Sequence, residues 1–135
     1  MEDFDSSDMP MPTSRVSLRI FSPELNPDLV TQTLNLTPDR SHHIGDYIDK
    51  SKRATYKHGM WGIHSKLSKE ESFAAHLENL LLILEPRQEE ILKLGEDHTV
   101  DFYCGLFSHI GFDLSPDILK RIANLGATLS VCIYP

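Results

Sequence analysis

Arg15-Val16-Ser17-Leu18-Arg19-Ile20-Phe21-Ser22-Pro23-Glu24-Leu25-Asn26-Pro27-Asp28 decides the fold class. Val16, Leu18 and Ile20 alternate with Arg15, Ser17 and Arg19, the period of two that marks a half-buried strand. Within six residues the grammar changes. Asn26 is a good N-cap, Pro27 fits the first helical position and Asp28 suits the positive end of the helix dipole. Leu29, Val30, Thr33 and Leu34 then supply the apolar face of a short helix that ends before Pro38.

The same grammar returns further on. Thr99–Phe107 reads as a strand with Val100, Phe102, Cys104 and Leu106 inward. Leu114-Ser115-Pro116-Asp117-Ile118 opens a helix striped by Ile118, Ile122 and Leu125 and closed by Gly126. Leu129, Val131 and Ile133 give a last strand ending at Tyr134. The two helix starts lie 89 residues apart, and each follows a Phe-Ser pair, Phe21-Ser22 or Phe107-Ser108. A pseudo-repeat of one β-α unit and convergent capping chemistry both fit.

Between them, Thr37–Gly59 is the least regular stretch, with Ile44–Ile48 a candidate short strand. Met60–Ser65 reads as a strand with Trp61 and Ile63 on one face. Ser68–Leu84 carries the longest helical period, Phe73, Leu77, Leu80 and Leu84, with Ser68 and Glu71 in capping-box register. Pro86 ends or kinks it, and Arg87–Leu94 forms a second helix stopped by Gly95. The expected architecture is α+β: one layered domain over 14–135, with a mostly antiparallel or mixed sheet and helices packed on one face. Residues 1–13 read as a disordered acidic tail.

Of the 135 residues, 40% are hydrophobic and 24% charged, a globular composition. A net charge of -7 argues against nucleic acid and anionic membranes as partners. No apolar run reaches the ~20 residues of a membrane span, and no basic-then-apolar signal peptide opens the chain. Two cysteines are too few for a disulfide scaffold, so a reduced, cytoplasmic protein is expected. The charge is unevenly spread. Residues 1–12 hold four acids and no base, 13–67 eight bases and five acids, and 68–101 nine acids and three bases.

The pattern resembles the bacterial family known as domain of unknown function 4279. The residues that carry the likeness are the opening strand, the Asn26-Pro27-Asp28 helix, the Leu36-Thr37-Pro38 exit and the Gly45-Asp46 pair. Trp61, the Leu-rich helix and the closing Leu125-Gly126-Ala127-Thr128-Leu129-Ser130 run to Tyr134 extend it over roughly 15–135. The resemblance implies a single small bacterial domain and brings no catalytic residues. By analogy, some families of this size act as immunity proteins beside secreted toxins.

Catalytic motifs are absent. There is no Gly-x-Ser-x-Gly and no phosphate-cradling glycine loop. His42, His43, His58 and His64 lie within 23 residues but lack the ligand spacing of a metal site, so they read as surface histidines. No metal or cofactor is expected. Asp46 and Asp49 have no neighbours to split their pKa values. Cys104 faces inward and Cys132 the other way, which leaves an inert buried thiol and no disulfide.

Two binding readings remain. Glu71, Glu78 and Glu85 stand seven apart, on the expected outer face of the long helix, as an acidic patch for a basic protein partner. The expected function is therefore a non-enzymatic protein-binding module, antidote-like in the sense of the analogy. Alternatively, Tyr47, Lys52, Arg53, Tyr56 and Trp61, in the basic and aromatic region 37–64, form a small-ligand or nucleotide site.

Overall fold

The computed structural model describes residues 14–106 and 111–134. The expected tail, 1–13, and the Phe107-Ser108 pair lie outside the described residues. In chain order the elements are β1 (Ser14–Ser22), α1 (Pro27–Leu34), β2 (Arg40–His42), β3 (Gly59–His64), α2 (Phe73–Leu84) and a 3-10 turn (Glu85–Arg87). They continue with α3 (Gln88–Asp97), β4 (Thr99–Leu106), α4 (Pro116–Asn124) and β5 (Thr128–Ile133).

The sheet order is β2-β3-β1-β4-β5. β1 pairs antiparallel with β3 and with β4, β2 pairs antiparallel with β3, and β5 runs parallel to β4. The sheet is therefore mixed and the domain α+β. Its first four strands form two interlocked split β-α-β units, each returning to a strand one place removed. The β4-α4-β5 unit is different, because β5 returns directly beside β4. The likeness between the two Pro-Asp segments is thus local. Asn26 accepts from the Asp28 N–H and Ser115 from the Ile118 N–H, but the chain afterwards crosses to different places in the sheet.

One sheet face holds the core. Val16, Leu18 and Ile20 of β1 are buried in register with Ile63 and Trp61 of β3 and with Cys104, Phe102 and Val100 of β4. Over them lie Leu77, Leu80, Leu81 and Leu84 of α2, Ile91 of α3, Val30 and Leu34 of α1, and Ile118 and Ile122 of α4. Side chains alternate along each strand, so Ser17, Arg19 and Phe21 fall on the other face, away from this core. No helix of the described residues is long and apolar enough to cross a membrane.

Three expected boundaries are corrected. The long helix begins at Phe73, because Ser72 is the N-cap and its side chain accepts from the Ala75 N–H. Ser68 instead closes a turn, its carbonyl accepting from Glu71 N–H and its hydroxyl bonding Glu70, so Glu71 precedes the helix. Ile44–Ile48 is not a strand. It makes one isolated bridge, Tyr47 to Thr55, inside an excursion between β2 and β3. Gly95 does not stop α3, which runs on to Asp97. Pro86 does bend the path: α2 passes through the 3-10 turn, and Arg87 donates to the Leu34 and Ile83 carbonyls, tying the ends of α1 and α2.

Candidate functional site

The face of the sheet turned away from the helices is built by β1, β3 and β4. Arg19 at its centre donates to Asp101 on β4 through Nε at 2.9 Å and Nη2 at 2.6 Å. Its guanidinium also lies over the Tyr103 ring, 4.5 Å from the centroid, and the Phe21 ring, 5.2 Å away. Asp101 is only 2% exposed and takes a further bond from Ser130 Oγ at 3.0 Å. The hydrogen bond to Asp101 raises the Arg19 pKa above its ordinary value. A forked pair held this way fixes the guanidinium plane. Neither bond to Asp101 uses Nη1.

Around it is a cavity of about 560 Å³. Among the described residues that line it, four are Lys or Arg, namely Arg15, Arg19, Arg40 and Lys69, and none is Asp or Glu. Ser17 and His64 face each other across β1 and β3, with Ser17 Oγ 2.7 Å from His64 Nδ1. Tyr103 and Tyr134 close one side through a hydroxyl-to-hydroxyl bond. That bond, with burial, pushes the Tyr103 pKa up, so the phenol stays protonated. His76 of α2 lines the cavity as well, although its residue is 2% exposed. Its Nδ1 is 2.7 Å from Ser65 Oγ, and burial pushes its pKa down. A cavity of this size, with cations converging on it, fits a small organic anion.

The residues singled out in the sequence are distributed differently. Trp61 is in the core, its indole Nε1–H donating to Thr31 Oγ1 at 3.0 Å. Tyr56 stacks on His42 with centroids 3.4 Å apart. Tyr47, Lys52 and Arg53 are exposed on the excursion, where the Lys52 ammonium lies 5.8 Å from the Tyr47 ring centroid. None of these five lines the cavity around Arg19.

Of the acidic trio, Glu78 and Glu85 do share an outer face of the α2 region, and Glu71 does not. Arg121 of α4 joins the pair. Its Nη1 and Nη2 donate to Glu78 at 2.7 and 2.8 Å, and its Nη2 and Nε to Glu85 at 2.7 and 2.8 Å. Those bonds hold both carboxyls below their ordinary range.

His42 is not a surface histidine. It is buried against Tyr56, and burial lowers its pKa. Among the described residues no three His, Cys, Asp or Glu converge as metal ligands. Cys104 is buried, which pushes its thiol up to about 12, and Cys132 is half-buried and also unbridged.

Sequence reasoning missed Arg15, Arg19, Arg40, Lys69 and His76. The signal for the first two was present: a strand that places two arginines opposite its apolar positions puts them on one face. Asp101 was hidden in an acidic count, and nothing local marks it as the partner of a residue 82 positions earlier.

Residues 12–135 match the family described as Domain of unknown function (DUF4279). No curated protein and no solved structure matches the chain.

Proposed function

The chain belongs to the DUF4279 family, and from that premise we propose that it is a binding domain for a small phosphate- or carboxylate-bearing molecule held on the helix-free sheet face. One observation carries this reading. In a protein of net charge -7, the described residues lining the cavity include four Lys or Arg and no carboxylate. Arg19 is pre-oriented by Asp101, so little side-chain entropy is lost when an anion docks. The overall negative charge repels polyanions such as nucleic acid, which leaves a compact anion as the favoured occupant.

Thermal denaturation with added phosphate, against sodium chloride at equal ionic strength, tests the reading. Stabilisation specific to phosphate, weakened about tenfold in apparent affinity by Arg40→Gln, is expected. Equal melting in both salts contradicts it. Arg40 is the chosen position because it is exposed and its loss leaves no buried carboxylate behind.

A second reading, a protein-docking face on α2 and α4 with an antidote-like role, is favoured by Leu82. This residue is 63% exposed between Glu78 and Glu85 on the same helical side. The Arg121 bridges offset part of the negative charge there. A basic partner held by the wild type and released by charge reversal at Glu78 and Glu85 supports this face, and release by reversal at Glu71 alone does not. Unchanged capture and salt slope count against it.

A further inference from the structure

β5 is the last strand of the sheet, with β4 on one side and, among the described residues, no strand paired to the other. The Tyr134 N–H turns inward, to the Leu106 carbonyl. Backbone groups of successive strand residues point to alternate edges, so Leu129, Val131 and Ile133 direct three N–H and three C=O groups outward. Their side chains also share one face. They stand in register with Phe102, Cys104 and Leu106, on the helix-bearing side. The helices leave part of this row open: Val131 is 41% and Ile133 60% exposed. Exposed edges are commonly defended by Lys or Pro. β5 has neither, and Leu125 to Pro135 holds no charged side chain in a chain of net charge -7. The opposite edge, β2, is three residues long and carries Arg40.

We propose that β5 is the interface of a symmetric dimer, pairing antiparallel with β5 of a second copy so that the two sheets become one. Val131 then lies opposite Val131 of the second copy, and Leu129 opposite Ile133 in both directions. Apolar side chains meet on the helix-bearing face, and Ser130 meets Cys132 on the other. These are the outward-pointing residues, so each facing pair exchanges both of its N–H···O bonds. Three features select a second copy as the occupant. The apolar spacing is symmetric about Val131, as a two-fold contact requires. Copies that repel through their acidic 68–101 segments meet here without like charges. β2 is too short to accept the whole of β5, so pairing closes at two copies and does not run on into a filament.

Sedimentation equilibrium of the full chain from about 1 to about 500 μM tests this interface. The wild type should pass from the mass of one chain to that of two. Val131→Lys sets two ammonium groups across the two-fold axis and should raise the dissociation constant by about a hundredfold or more, with the circular dichroism spectrum unchanged. Val131→Cys in a Cys132→Ser background should form an intermolecular disulfide on mild oxidation, because facing Cα atoms about 5.5 Å apart are within its span. If the variants do not fold, hydrogen exchange of the wild type decides: protection of the Leu129, Val131 and Ile133 amides should grow with protein concentration. A wild type that stays monomeric throughout overturns the dimer, as does a dimer that survives Val131→Lys. Protection of those amides that is independent of concentration assigns the edge to a segment of the same chain and overturns it too. Each of these outcomes leaves the anion reading of the sheet face intact.

Discussion

At the scale of single residues, two glycines show how little the letter alone says. A methyl group built on Gly59 would sit 2.0 Å from the Leu25 carbonyl oxygen, a backbone atom that cannot swing away. Gly59 starts β3 where the loop before α1 passes closely. Gly95 lies inside α3, and the same methyl would meet nothing closer than Val100 Cγ2 at 3.7 Å, an ordinary contact. Alanine at the two positions should therefore act with opposite sign. Gly59→Ala is expected to destabilise by about 3 kcal/mol or more through backbone displacement. Gly95→Ala should stabilise by roughly 0.5–1 kcal/mol through helix propensity and lost unfolded-state freedom. Urea unfolding of both variants checks this, and a destabilised Gly95→Ala would refute the helical account of that residue. A helix stop was the natural reading of Gly95, because glycine after Leu94 is the common C-terminal signal. The structure overrides it by carrying the last turn to His98, whose N–H donates to the Leu94 carbonyl and whose Nδ1 lies 2.6 Å from Ser22 Oγ.

At the scale of elements, Arg121 joins α4 to the end of α2. Its bonds to Glu78 and Glu85 pull both carboxyls below the ordinary 4.5, so their stabilisation is fully present above about pH 4.5 and is lost as pH falls through the lower folded values. These are surface groups, so the whole clamp is worth about 1 kcal/mol near neutral pH. Arg121→Met should fall short of the wild type by that amount at about pH 7. The gap should close between roughly pH 5 and pH 3, and a constant gap across that range would show that the clamp stabilises by packing instead. The clamp also explains what the sequence could and could not tell. Most strands and helices were readable, because a period of two or 3.6 and the Asn26 and Ser115 caps are local signals. The true start of α2 was not, because Ser68 and Ser72 both precede a helical run and only the Ala75 N–H chooses between them. The pairing of Arg121 with Glu78 spans 43 residues and leaves no local trace.

At the scale of the whole molecule, charge and topology act together. The net charge of -7 disfavours polyanions but says nothing about where cations gather. Strand alternation gathers them: β1 carries Arg15 and Arg19 to the face opposite its buried valine, leucine and isoleucine, and β2 adds Arg40 from beyond β3. The candidate cavity was therefore half legible. Its β1 contribution follows from a period of two, whereas Arg40, Lys69 and His76 depend on strand order and on the path into α2. The aromatic-basic region around Tyr47, Lys52 and Arg53 looked more like a site in one dimension, but it lost Trp61 to the core. The central claim is that the helix-free sheet face binds a small anion. Titrating phosphate into 15N-labelled protein at constant ionic strength tests it most directly. Saturable amide shifts are expected at Ser17, Arg19, Gly62, His64 and Gly105, with α3 and the 43–58 excursion silent. Shifts confined to that excursion, or none at all, would contradict it.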